Sequence, residues 1–367
     1  MNVLLGKAYV IAGVGGVGFF AMSVLLLGVW PGRVLEDETR RMSPAHPLAL
    51  TASERRGRVI YSRDGCAYCH TQQIRFLDSD IARFGKPTEA WETQFDYPHL
   101  WGTRRIGPDL AREGSVHSED WQFSHLFAPR AIVPDSVMPA FSGLFEGAPD
   151  RPRQEARDLI AYIASLGRAR ELIEPVATNE NFSLLELVSN PARGQIVYAQ
   201  SCAGCHGRSG NGDGPGAAGL SPRPANLAAH EYSIGRVSFV LWNGVHGTAM
   251  PGWRPLPKAD LAAVAGLVRG FHVDSVDTAP FDVELGRRVY VDHCAQCHGD
   301  TGAGDGSASH EIRVAPTSFA AQRPTVALSL QALRSGVAGT PMAPWNTKLS
   351  DVELTAVAYF VRGFYQP

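Results

Sequence analysis

The chain has 367 residues, 44% hydrophobic and 19% charged, which is enough apolar material to bury cores and excludes a disordered polypeptide. That length accommodates two or three domains. Lys and Arg (34) nearly balance Asp and Glu (36), and no basic run or stripe marks a nucleic-acid partner.

Residues 8–32 hold no charged side chain, and the stretch AYVIAGVGGVGFFAMSVLLLGVW is long enough to cross a hydrocarbon layer as a helix. The run outlasts an ordinary signal-peptide core and no A-x-A site follows it. Residues 1–32 are therefore expected to be an uncleaved transmembrane anchor, with a linker at 33–50. Flanking charge does not orient it, because Lys7 lies on one side and Arg33, Arg40 and Arg41 on the other. Ala12, Gly13, Gly16 and Gly18 either allow a second helix to approach or reflect the glycine enrichment of membrane helices.

Beyond the anchor, all six cysteines fall into three copies of C-x-x-C-H: Cys66-Ala67-Tyr68-Cys69-His70, Cys202-Ala203-Gly204-Cys205-His206 and Cys294-Ala295-Gln296-Cys297-His298. Two thiols three apart and an adjacent histidine are the attachment pattern of c-type haem, with thioethers to the vinyl groups and the histidine on iron. Disulfides or paired-cysteine zinc sites do not require that histidine each time. Three covalently bound haem c groups are expected. The 38 glycines and 25 prolines suit loops that wrap such a cofactor. Because haem c is attached outside the cytoplasmic membrane, the body of the chain is expected in the periplasm, tethered by a single pass through the inner membrane.

Three units follow in order: residues 51–170, a linker at 171–188, residues 189–274, and residues 281–367. The last two are an internal repeat: Cys202 and Cys294, Pro224 and Pro316, and Met250 and Met342 are each 92 positions apart. CAGCHGRSGNGDG matches CAQCHGDTGAGDG, and NGVHGTAMPGW matches SGVAGTPMAPW. Each unit opens with a glycine and an aromatic ahead of its motif: Gly57 and Tyr61, Gly194 and Tyr198, Gly286 and Tyr290. Each closes with an apolar stretch of helical period, ARDLIAYIASLG, ADLAAVAGLVRGF or DVELTAVAYFVRGFY, the last two opening at Lys258–Asp260 and Ser350–Asp351. This order resembles the class I cytochrome c fold, implying an all-α protein of one transmembrane helix and three such domains.

One methionine beside a proline follows each motif, Met138, Met250 and Met342. A single methionine is usually core filler, but one per motif in matching loops marks the sixth iron ligands. His246 is a weaker candidate, because the third unit has Ala338 in its place. The expected cofactor-binding residues are Cys66, Cys69, His70, Met138, Cys202, Cys205, His206, Met250, Cys294, Cys297, His298 and Met342, with the histidines and methionines on the metal. Histidine–methionine ligation suits electron relay rather than catalysis. Resemblance to the fold further implies that carbonyls of Pro108, Pro224 and Pro316 accept bonds from the proximal histidines. GNGDGPG and GAGDG read as tight turns rather than phosphate loops, since neither leads into a G-K-[ST] helix.

The first unit carries about 24 extra residues between histidine and methionine, 70 to 138 against 206 to 250. Its segments GCAYCHTQQIR, FDYPHLWGTRRIGPDLAREG and SEDWQFSHLFAPRAIVPDSVMPAF resemble the monohaem FixO/CcoO subunit of cbb3-type cytochrome c oxidases. The two following units are similar to a dihaem FixP/CcoP module, so the chain resembles a fusion of the two under one anchor. This resemblance implies an electron-transfer subunit without an oxygen-reducing site of its own. Its partners would be a catalytic haem–copper subunit in the membrane and, as donor, a soluble cytochrome c or a quinol-oxidising complex. Arg75, Arg104, Arg105 and Arg130 are candidate propionate or docking residues. Other readings are a nitric oxide reductase-like complex, a free tethered shuttle, and a self-contained peroxidase or sulfur-oxidising enzyme.

Overall fold

The computed structural model describes residues 2–42, 49–93, 96, 98–102, 104–173, 182–185, 187, 189–272 and 280–367. Most of the expected linker at 171–188, and residues 43–48 of the one at 33–50, lie outside them. The chain is 55% helical.

The anchor is α1 (Asn2–Val24), a wide turn at Leu25–Val29 and α2 (Trp30–Met42), in one continuous helix. Pro31 explains the turn: it has no N–H to give, and its ring crowds the carbonyl four residues back. The helix loosens, and the Trp30 N–H donates five residues back to Leu25. The helix therefore outruns the expected anchor end at residue 32. At about 1.5 Å per residue, the polar extension to Met42 adds about 15 Å beyond the apolar stretch.

Three helix pairs form the body. In the first unit α3 (Ala52–Arg63) crosses α7 (Gln154–Ser165), with α4 (Asp78–Phe84), α5 (Glu119–Phe127) and α6 (Pro129–Ile132) between them and α8 (Arg168–Ile173) after. In the second, α9 (Pro191–Ser201) crosses α12 (Lys258–Arg269), with α10 (Ala203–His206) and α11 (Ile234–Asn243) between. In the third, α13 (Val283–His293) crosses α16 (Asp351–Phe360), with α14 (Ala295–His298) and α15 (Val326–Ser335) between.

The crossings explain the recurring glycines. A Cβ on Gly57 would overlap the Asp158 carbonyl, one on Gly194 the Ala263 carbonyl, and one on Gly286 would come within 2.6 Å of the Ala356 carbonyl. Only glycine lets the backbones approach so closely. Four residues later, Tyr61, Tyr198 and Tyr290 are all 3% exposed or less. Their hydroxyls donate to the carbonyls of His70 (2.9 Å), Gly207 (2.8 Å) and Gly299 (2.6 Å), fastening each opening helix to its motif.

Among the described residues, one small sheet stands beside the helices of the expected all-α fold. β1 (His230–Tyr232) and β2 (Gln322–Pro324) pair antiparallel, joining the second unit to the third, with Glu231 opposite Arg323. Strands of three residues carry too little periodicity to be visible in the sequence. Their register has a symmetry: Ser233 N–H donates to Ala321 O at 3.0 Å and Thr325 N–H to Ala229 O at 2.9 Å. Each bond is the other with both positions moved by 92. Gly247 against the Arg313 carbonyl and Gly339 against Ser221 are related the same way. The two units thus meet through an isologous, pseudo-two-fold contact, like the halves of a homodimer.

The first and second units meet differently. Gly204, inside the second C-x-x-C-H, lies under the carbonyls of Ala131 and Ile132 in α6, and a Cβ there would overlap the latter. Asp120 accepts the Ser221 N–H at 2.9 Å, and Gly219 packs on Ser124 and Pro149. This contact is head-to-tail, with different surfaces on its two sides.

Candidate functional site

Each C-x-x-C-H forms a single helical turn. The histidine N–H donates to the first cysteine's carbonyl at 2.9 Å in all three copies, which stacks the two residues on one face. The first turn is entered from Gly65 at φ 75°, a left-handed position open to glycine. None of the six cysteines is in a disulfide. Burial pushes the Cys66 thiol up to about 11 and those of Cys202 and Cys294 up to about 12.

Each histidine ring is held by a backbone carbonyl: His70 Nδ1 by Pro108 (2.9 Å), His206 Nδ1 by Ala225 (3.1 Å) and His298 Nδ1 by Thr317 (3.0 Å). A carbonyl only accepts, so Nδ1 carries the proton and Nε2 keeps its lone pair free for a metal. Burial lowers all three pKa values, favouring the neutral ring that can ligate. The Pro108 acceptor is as expected; those at Pro224 and Pro316 are corrected by one residue. The Pro224 and Pro316 carbonyls instead face Gly212 and Gly304, and along an extended chain the next carbonyl turns the other way.

The glycine-rich loops close on the same histidines. Gly212 N–H donates to His206 O at 2.9 Å, and Gly304 N–H to His298 O at 2.8 Å. Gly207, Gly212, Gly299 and Gly304 have φ between 75° and 81°. They are tight turns beside the motifs.

Each methionine packs on the apolar core of its own unit. Met138 packs against the same apolar cluster as Cys66 and Ala67, Met250 against the same one as Cys202 and Ala203, and Met342 with Cys294 against the one that holds Ala295. A bond missed in the sequence orients each: the N–H of Met138, Met250 and Met342 donates to Ser136 (3.2 Å), Thr248 (3.1 Å) and Thr340 (3.2 Å) hydroxyls. A hydroxyl residue two before each methionine was the available signal. Three residues after it, Phe141, Trp253 and Trp345 return to α5, α11 and α15 through N–H bonds to Leu126, Leu241 and Leu333. The methionine loop is thus one design used three times.

The four arginines separate. Arg75 pairs with Asp80 at 2.8 Å, and Arg105 is enclosed between Asp80 and Asp109. Both therefore brace the first unit. Arg130 donates to Ser136 O at 3.0 Å and steadies the Met138 loop, whereas Arg104 is exposed.

Residues 17–167 match the family described as cytochrome C oxidase, mono-heme subunit/FixO, and residues 189–268 and 281–361 each match cytochrome C oxidase, cbb3-type, subunit III. A cytochrome c domain binds haem c covalently, and the unpaired cysteines, free Nε2 atoms and apolar clusters fit that group. The cbb3-type cytochrome c oxidase subunit FixP of Azorhizobium caulinodans is 24% identical over 201 residues, covering 49% of this chain and 64% of that one. Subunit CcoP of Cereibacter sphaeroides is 25% identical over 226 residues, covering 56% and 72%. The chain thus spans about two thirds of the length of these relatives. Among solved structures, a Kuenenia stuttgartiensis reducing HAO-like protein complex is similar over 51% of this chain and 100% of that one, at 24% identity and a TM-score of 0.24.

Proposed function

From a chain that joins a FixO-type cytochrome c region to two regions of the cbb3 subunit III type behind an apolar anchor helix, we propose a membrane-anchored triheme cytochrome c. It relays electrons from a periplasmic donor to the catalytic subunit of a cbb3-type haem–copper oxygen reductase. The observation that carries this reading is the threefold recurrence of one arrangement: a carbonyl-locked histidine and a hydroxyl-held methionine around one apolar cluster. Cys66 and Cys69, Cys202 and Cys205, and Cys294 and Cys297 form the thioethers. His70 with Met138, His206 with Met250, and His298 with Met342 would hold the iron.

Haem held between histidine and methionine supplies one-electron exchange at a relatively high potential. The chain's own residues keep that exchange reversible. Backbone carbonyls fix the rings, Ser136, Thr248 and Thr340 hold the methionine loops, and the buried tyrosines tie each motif to its opening helix.

The second domain is the middle station, because it touches both others. The middle position of each C-x-x-C-H supports the two ends. Gly204 is buried under the first domain, whereas Tyr68 is 78% exposed and Gln296 is exposed. Elsewhere the first domain exposes Ile106 (55%), Val137 (71%) and Phe76 (83%). Permanent partners favour apolar faces and transient redox partners smaller, wetter ones. Electrons therefore enter at the third domain and leave through the first. The test is a haem count on the purified chain with mass spectrometry of its haem peptides. Three haems on the three cysteine pairs are expected; fewer would remove one domain from the relay.

A further inference from the structure

The pseudo-two-fold between the second and third domains makes their differences informative. Ser233 and Thr325 occupy one position of the repeat, and each caps its helix by accepting a backbone N–H. One turn later the match fails: the second domain has Arg236 where the third has Leu328. The strand before it differs as well, with His230 and Tyr232 against Gln322 and Pro324.

Arg236 has an unusual environment. It is partly buried, and its Nε donates across the domain boundary to Gln322 Oε1 at 3.2 Å. Among the described residues no carboxylate pairs with it. The charged or titratable groups that face it are Tyr232 and His230, both uncharged at neutral pH, since burial raises the tyrosine and lowers the histidine. Burial pulls the guanidinium itself below its ordinary range. A partly desolvated cation without an anion is unfavourable unless something supplies the missing charge. Neighbouring arginines are already engaged: Arg323 pairs with Glu231, and Arg269 Nε donates to Tyr232 O at 3.1 Å.

Tyr232 belongs to the apolar cluster on which Cys202 and Met250 pack. His230 Nδ1 is bound at 2.9 Å by the carbonyl of Asn226, the residue after the Ala225 that holds His206. Arg236 thus stands beside the proximal loop of the second domain, on its side toward the third. A haem carries two propionate carboxylates, and a guanidinium fork is matched to that group in shape and charge.

Resting on the triheme reading above, we infer that Arg236 is the propionate partner of the second domain's haem, a site the third domain lacks. Its charge offsets the carboxylate close to the iron and raises that haem's potential above the value in the otherwise equivalent third domain. The asymmetry gives the second domain the stronger pull on an electron arriving from the third.

The test is a spectroelectrochemical titration of the full detergent-solubilised chain, with Arg236→Gln and Arg236→Lys compared in a Met342→His background. That background, with Met138→His added, moves the first and third haems to lower potential, leaving the second identifiable. Haem content and the methionine-to-iron band are read first; their loss from the second domain in the parent chain would overturn the triheme reading itself. With both intact, R236Q lowers the second haem's midpoint and R236K restores most of it. An unchanged midpoint in R236Q, or a shift at another haem, overturns the inference. If R236Q fails to load haem, R236K decides: a midpoint near the parent value supports a role for charge, and a full loss of the parent value opposes it.

Discussion

Glu231 and Arg323 face each other as partners across β1 and β2, and they are one position of the repeat read twice, 92 residues apart. Two identical residues at this point would place like charges together; the duplicated chain has opposite charges instead, ion-paired and each 30% exposed. The opposite charges favour pairing of a second domain with a third over pairing of either with its own kind.

Reversing one of those charges, Glu231→Arg, is expected to weaken the contact by about 1 kcal/mol. Combining it with Arg323→Glu restores the attraction in the opposite sense. Limited proteolysis of the full chain reads the difference: the single variant is cut faster, the double variant at the parent rate.

Replacing Gly204 with Leu puts a side chain where Ile132 backbone already lies. The second domain must then shift from the first, while its motif, facing its own cluster, still loads haem. Flash-induced transfer between first and second domains is expected to slow at least tenfold, and transfer between second and third to be unchanged.

Met138→Ala is expected to open the first domain's iron to carbon monoxide and stop oxygen uptake. Ser136→Ala is milder, losing one hydrogen bond of about 1 kcal/mol, and leaves a methionine-to-iron band that weakens on warming. Carbon monoxide difference spectra and the temperature dependence of that band check both.

Acid should unfold the first domain in a defined window. The Arg75 guanidinium, ahead of that of Arg105, holds Asp80 at about 2, below its ordinary value of 3.8. A depressed carboxyl contributes stability above its unfolded value and loses it as pH falls toward the folded one. The first domain is therefore expected to lose stability from about pH 4 to about pH 2, and Asp80→Asn to lower its melting temperature at pH 7 while flattening that decline.

The legible features were those written in contiguous residues. C-x-x-C-H specifies its own chemistry in five positions, and duplication exposed Met250 and Met342 by spacing. Gly57, Gly194 and Gly286, each four residues before a tyrosine and ahead of a motif, stand out in the sequence, but the close helix crossings they allow do not. The carbonyls that hold His206 and His298 were misplaced by one residue, because strand phase, and not composition, decides which way a carbonyl points. Arg236 gave no signal, since an arginine's isolation depends on what the fold leaves around it. The helical run from residue 33 to Met42 was hidden by its charges, which suit a linker as well as an exposed helix.

The most direct measurement is an affinity pull-down of the full chain from native membranes in mild detergent, assayed for haem b, copper and cyanide-sensitive oxygen uptake, alongside the Met138→Ala chain. Co-purification of all three, with uptake lost in the variant, is the predicted result. Haem c alone in the pull-down, or uptake that survives Met138→Ala, would contradict the assignment of this chain as the electron-entry subunit of an oxygen reductase.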